Sequence, residues 1–313
     1  MIDLLKLLYD NNLSLTCDLA NWFEQFPSGA AWNIYSDYCV GNTEKANDSF
    51  SFVITLKHDT DQNFSDYIMK VAPKDLKKTR KASNGLISYL NCPMAFSVSF
   101  IVERESKLLR DFITDKNMKD FCVDLKQLIT MWAAEPESDR QYWGRIDKAL
   151  TDFNYDIQHK SFNSKLARQL LLTSTFAGFL FAKLNKLKSP SIIRWVSDRD
   201  ATFDKYNGVA FDISFIFFLF LSSKYNGTKD SNKPKFLFAY PFIDGKTDYA
   251  AHIRLPDYLA GLCADINLPS MEFSHSKFDM IFESAILNSV NNIVLEVLGS
   301  PEKITTRRLS FIC

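Results

Sequence analysis

An α/β fold is predicted: a mixed five-stranded sheet flanked by helices, with a helical segment of about 104–187 inserted between the third and fourth strands. Three observations predict it. Three apolar runs in the first third of the chain alternate with period two, and the first two are joined by a short polar link. Two later strand-like runs are set apart by long apolar helical stretches, the mark of strands joined by helical crossovers. No repeat, low-complexity tract or Pro/Gly-rich linker divides the 313 residues, so a single domain over 1–313 is expected.

The elements follow in order. An amphipathic helix opens the chain, with Leu4, Leu5, Leu7 and Leu8 on one side. WNIYSDYCVG (32–41) is the first strand, over 32–40, and ends at Gly41. NTEKAND is turn chemistry, and SFSFVITL (49–56) alternates Phe50, Phe52, Ile54 and Leu56 as the second strand of a hairpin. Residues 74–91 read as a basic helix, and MAFSVSFIV (94–102) is the third strand. The first three strands are expected to be consecutive and antiparallel. From 104 to 187 the pattern is helical, broken at Pro136 and ending in the apolar LARQLLLTSTFAGFLFAKLNKL. A fourth strand (191–197), a helix (205–223), a polar loop (223–235) and a fifth strand (236–241) come next. Pro256 stands at a helix start, its favoured place, with Leu255, Leu259, Leu262 and Ile266 as the apolar face. A last helix is expected over 276–298.

Composition narrows the function classes. With 37 basic and 37 acidic residues the formal net charge is zero, which disfavours a globally basic nucleic-acid binder but not a local basic patch. Six cysteines at 17, 39, 92, 122, 263 and 313 show no CxxC or Cys/His metal spacing, the usage of free thiols in a reducing cytosol; a cytoplasmic location is expected. The four histidines have no metal spacing either, and His252 is expected at the surface near the last motif. MIDLLKLLYDNN is not a signal peptide. FDISFIFFLFL (211–221) is too short to span a bilayer and contains Asp212, so it reads as a buried helix. No membrane association is expected.

The chemistry concentrates in WVSDRDATFD (195–204), where a buried strand runs straight into Asp198, Arg199, Asp200 and Asp204. Asp37 lies near the end of the first strand, Asp198 at the end of the fourth, and Asp257 in the first turn of the helix after the fifth. Such positions converge at one edge of an α/β sheet, where ligands bind. Carboxylates gathered there repel one another unless solvent, Arg199 or a hard divalent cation relieves them. Singly, each acid also fits a turn, a cap or the positive end of a helix dipole.

Jointly, these elements resemble a large, mostly uncharacterised bacterial and phage family with a ribonuclease-H-like fold. The resemblance runs over about 30–270, through WNIYSDYCVGN, IIRWVSDRD and FLFAYPFIDGKTDYAAHIRLPDYLAGLCAD. IRLPDYLAG (253–261) is similar to the family's pattern I-Q-x-A-D followed by two hydrophobic residues and A-G, with Asp257 at the Asp and Ala260–Gly261 at the small pair. The resemblance implies a metal-dependent nuclease, acting on RNA or DNA with water as the nucleophile. Asp37, Asp198 and Asp257 would be its catalytic residues and Mg²⁺ or Mn²⁺ ligands, and Asp200 a further ligand. Two departures stand out. Asp37 is followed by Tyr38-Cys39 where the family has a second acid and Ser, and Arg254-Leu255-Pro256 replaces Gln-x-Ala. These support a competing expectation, a catalytically inactive interaction protein of a bacterial defence or toxin system, with a protein partner or a second copy of itself.

PKDLKKTRK (73–81) carries Lys74, Lys77, Lys78, Arg80 and Lys81. It reads either as a nucleic-acid-binding patch of phosphate contacts or as a solvated helix face.

Overall fold

The computed structural model describes residues 2–104, 112–133, 140–159, 162–198, 205–226, 234–239, 249–287, 289–299 and 304–311. The strands are β1 (Ala31–Cys39), β2 (Asn47–Leu56), β3 (Ala95–Glu103), β4 (Ile192–Ser197), β5 (Lys235–Phe238), β6 (Asn292–Gly299) and β7 (Ile304–Leu309). The helices are α1 (Ile2–Asn11), α2 (Leu13–Glu24), α3 (Asp61–Val71), α4 (Asn84–Leu90), α5 (Asp115–Ala133), α6 (Arg140–Gln158), α7 (Ser164–Lys188), α8 (Val209–Asn226), α9 (Arg254–Asp265) and α10 (Ser276–Ile281). The fold is α/β with one mixed sheet in the order β5-β4-β1-β2-β3-β6-β7. β1, β2 and β3 are antiparallel neighbours, β4 and β5 extend the sheet in parallel beyond β1, β6 is parallel to β3, and β7 turns back antiparallel.

The sheet exceeds the expected five strands by two. The helix expected over 276–298 ends at Ile281, passes through a π-turn at Phe282–Ile286 and gives way to β6. The apolar residues of 293–297 suit either a helix or a strand, and Asn292 decides between them. Its side-chain amide donates to the Ala285 carbonyl (2.8 Å), while its carbonyl accepts from Ser97 Oγ (2.6 Å) on β3. The opening helix α1 ends at buried Asn12, whose Nδ2 donates to the Leu8 carbonyl (2.8 Å), and α2 follows as a separate helix that was not expected. Another expected helix is divided. Over 74–91 the chain makes one 3₁₀ turn (Leu76–Lys78) capped by Asp75, extends at Thr79, and starts α4 only after Ser83. Leu76 and Ala82 are the buried anchors of 74–82, too few for a helical apolar face.

Strand alternation sends side chains to two cores. Trp32, Ile34, Phe50, Phe52, Phe100 and Trp195 face one side, covered by α1, α2, α7 and α8. Tyr35, Val53, Ile101 and Val196 face the other, covered by α3, α4, α9 and α10. Within the segment 104–187, α7 lies directly on the sheet, where Phe176 stacks on Phe100 at 4.0 Å between ring centroids. α7 is buried nearly all round because α8 crosses it closely: a Cβ at Gly178 would come within 2.6 Å of Phe217 Cβ and 2.8 Å of the Ser214 carbonyl. α5 and α6 pack into the same core through Phe121, Leu125, Ile146, Leu150 and Phe153. The expected break at Pro136 lies outside the described residues.

Asp212, the charge inside the most apolar run, is fully buried and takes two hydrogen bonds from Arg145 of α6 (3.0 and 2.7 Å). Among the described residues no helix is long and apolar enough to cross a membrane.

Candidate active site

β1 and β4 run parallel with Ser36 opposite Ser197. One residue further, the Asp198 N–H donates to the Ser36 carbonyl (2.8 Å), which sets Asp37 and Asp198 side by side at the strand ends. Strand side chains alternate, so both acids leave the sheet on the face of Tyr35 and Val196, beneath α9.

The sequence of β2 draws α9 down onto that face. Ser49 Oγ donates to the Ala260 carbonyl (2.7 Å), and Asn47 Nδ2 donates to the carbonyls of Cys263 (3.0 Å) and Ile266 (2.7 Å). Gly261 lets neighbours approach from the other side, since a Cβ there would lie 3.1 Å from Leu76 Cδ2 and 3.3 Å from the Phe278 ring. This seating brings Asp257, in the first turn of α9, close enough to Asp37 for the two carboxyl groups to act directly on each other.

Both carboxyl groups are more than nine-tenths buried. Asp37 accepts from the Tyr38 N–H (2.8 Å) and Asp257 from the Leu76 N–H (3.3 Å). Those bonds do not offset the desolvation. Burial, then the charges of Asp257 and Asp198, holds Asp37 well above the usual carboxylate range. Burial, then Asp75, pushes Asp257 up to about 6. Two carboxyl groups in contact share a proton or need a cation between them.

Lys77 also faces this site. Burial alone would pull its ammonium down, but the charges of Asp37, Asp257, Asp75 and Asp198 together hold it above its ordinary value. Sequence reasoning placed Lys77 with a basic patch and did not mark Asp75 at all. The available signal was Asp75 as a cap: its Oδ1 accepts the Lys77 N–H (2.9 Å) and forms the turn that delivers Lys77. Lys74, Lys78, Arg80 and Lys81 are exposed.

Asp37 and Asp257 lie together, and Asp198 stands beside Asp37 through the bond of its N–H to the Ser36 carbonyl. Asp200, Arg199 and Asp204 lie outside the described residues. Among the described residues no three of His, Cys, Asp and Glu stand close enough together to hold a metal ion, and the carboxyl groups nearest one another are the Asp37–Asp257 pair. An all-oxygen, desolvated donor set of this kind suits a hard divalent cation, which would keep waters in its remaining positions. His252 is not a surface residue: it is fully buried, its ring 5.3 Å from that of Tyr35, and burial pulls its pKa down to about 4.

Tyr38, the next residue after Asp37, points to the opposite face and shares hydrogen bonds with Ser36 Oγ (2.5 Å) and Ser197 Oγ (3.1 Å). Trp195 Nε1 donates to the same Ser36 Oγ (2.8 Å), so these hydroxyls lock β1 to β4 directly behind Asp37.

Fold and site together define an α/β protein with a buried carboxylate pair, Asp37 near the C-terminal end of β1 and Asp257 in the first turn of α9, beside Asp198 at the end of the parallel strand β4. Comparison with known protein families, with curated proteins and with solved structures finds no match.

Proposed function

We propose that the protein is a ribonuclease-H-like nuclease that hydrolyses phosphodiester bonds of RNA or DNA with Mg²⁺ or Mn²⁺. What supports the fold reading is the strand order: an antiparallel β1-β2-β3 meander with β4 and β5 added in parallel beyond β1. The single observation that carries the activity is the contact between Asp37 and Asp257 in a desolvated site with Asp198 alongside. Their mutual repulsion is the stored cost that a divalent cation removes on binding. Asp37 and Asp257 would hold the ion, and Asp198, fixed by its backbone bond to Ser36, would orient water beside it. When bound, the ion supplies Lewis acidity to a phosphoryl oxygen and lowers the pKa of a water molecule.

One observation favours a second reading, the inactive interaction protein: Tyr38 occupies the place of the second acid and is turned away from the site. Calorimetric titration with Mn²⁺ and cleavage of labelled single- and double-stranded RNA and DNA separate the two. The nuclease reading expects Mn²⁺ binding and Mn²⁺-dependent cleavage of at least one substrate, both abolished in Asp37→Asn. Binding of neither metal nor substrate by the wild type leaves the interaction protein as the surviving reading.

A further inference from the structure

The turn that carries Lys77 is held more firmly than an exposed basic loop requires. The Leu76 N–H donates to Asp257, Lys277 Nζ donates to the carbonyls of Leu76 (2.8 Å) and Thr79 (3.3 Å), and Arg254 donates to the Ala72 carbonyl. The Tyr258 hydroxyl accepts the Ser83 N–H (3.0 Å) just after the turn. Three of these partners, Arg254, Asp257 and Tyr258, belong to the first turns of α9, so the helix that positions one carboxylate also positions the lysine.

Lys77 nevertheless makes no ion pair within 4.0 Å among the described residues, although four carboxylates face it. Its ammonium therefore lies more than 4.0 Å from each of the described acids that act on it. Charge balance says what partner it suits. One divalent cation offsets two of the four carboxylates, which leaves a negative site that would repel a phosphodiester. A fixed cation at the mouth offsets a third charge and gives the incoming phosphate a partner.

We propose that the Lys77 ammonium contacts a non-bridging oxygen of the phosphate that the carboxylates address, so that Lys77 is a catalytic residue and the backbone phosphate is the recognised group. This rests on the phosphodiester reading above. Lys77 is exposed like Lys74, Lys78, Arg80 and Lys81, but the four carboxylates it faces set it apart, and the others act only on general affinity.

The test uses the full chain and a short oligonucleotide in Ca²⁺, with one phosphate at a time replaced by a neutral methylphosphonate. In the wild type, neutralising one particular phosphate weakens binding about tenfold, the scale of one charge-assisted hydrogen bond. In Lys77→Gln the same replacement has no further effect, whereas in Lys78→Gln it keeps its full effect. In Mn²⁺, Lys77→Gln lowers kcat about a hundredfold and Lys77→Arg restores part of it, as expected for a group that meets charge developing in the transition state. If no phosphate couples to Lys77 while wild type and Lys77→Gln cleave alike, Lys77 is only an internal counter-ion and the proposal is overturned with the nuclease reading intact. If coupling is found but the wild type cleaves nothing, the phosphate contact stands and the nuclease reading fails. If the wild type binds no oligonucleotide, both fall.

Discussion

Replacing Asp257 with Asn should stabilise the metal-free protein. A carboxyl group that titrates near 6 when folded and near 3.8 when unfolded is destabilising wherever it is ionised. The penalty is absent below the unfolded value, grows as pH rises between the two, and is fully present above the folded value. At about pH 7.5 it amounts to about 3 kcal/mol, and at about pH 4.5 to about 1 kcal/mol. Asn removes it and keeps the local bonds, because its carbonyl can accept the Leu76 N–H and its amide can donate to Asp37. Urea unfolding in EDTA should therefore show Asp257→Asn more stable than the wild type by about 1–3 kcal/mol near neutrality, with the gap closing on acidification. Mn²⁺ should reverse the ranking, since saturation at a thousand times Kd adds about 4.1 kcal/mol to the wild type alone. A variant less stable than the wild type at about pH 7.5, or a gap that does not depend on pH, would refute the claim that desolvated like charges dominate this site.

Other predictions follow from the same geometry. Asp198→Asn should abolish Mn²⁺-dependent cleavage while changing thermal stability little or raising it, read by nuclease assay and melting with and without metal. Replacing Lys74, Lys78 and Arg80 together with Gln should weaken oligonucleotide binding uniformly and flatten its salt dependence, by about 1 in log–log slope for each phosphate no longer neutralised; an unchanged slope means a solvated surface. Arg145→Met should cost about 3 kcal/mol in denaturant unfolding, because it removes two charged hydrogen bonds from the fully buried Asp212, and Asp212→Asn in the same background should recover part of that stability.

The elements that position the acids were legible in the sequence because their patterns are local. β1 to β4 alternate apolar residues in short runs, and α9 has Pro256 in its first turn and a clean apolar face. β6 and β7 were not legible. IVLEV fits a helix and a strand equally, and ITTRRL is a polar edge strand held by Arg307 to Glu296 (2.9 Å) and Arg308 to Asp18, ion pairs that no local pattern announces. The same division holds at the site. Asp37, Asp198 and Asp257 stand at strand ends and a helix start, which a sequence displays. Asp75 and Lys77 reach the site only because Leu76 docks on α9 across 181 residues of chain, and charge pattern alone left Lys77 among its exposed neighbours.

Crystals grown near neutral pH and soaked in millimolar Mn²⁺, with data collected to locate manganese by anomalous scattering, test the central claim most directly. One manganese is expected between the carboxylates of Asp37 and Asp257, with Asp198 bound directly or through water, and no such peak in Asp37→Asn. A carboxyl pair still in contact, with Lys77 facing it and no manganese at the site, would contradict it.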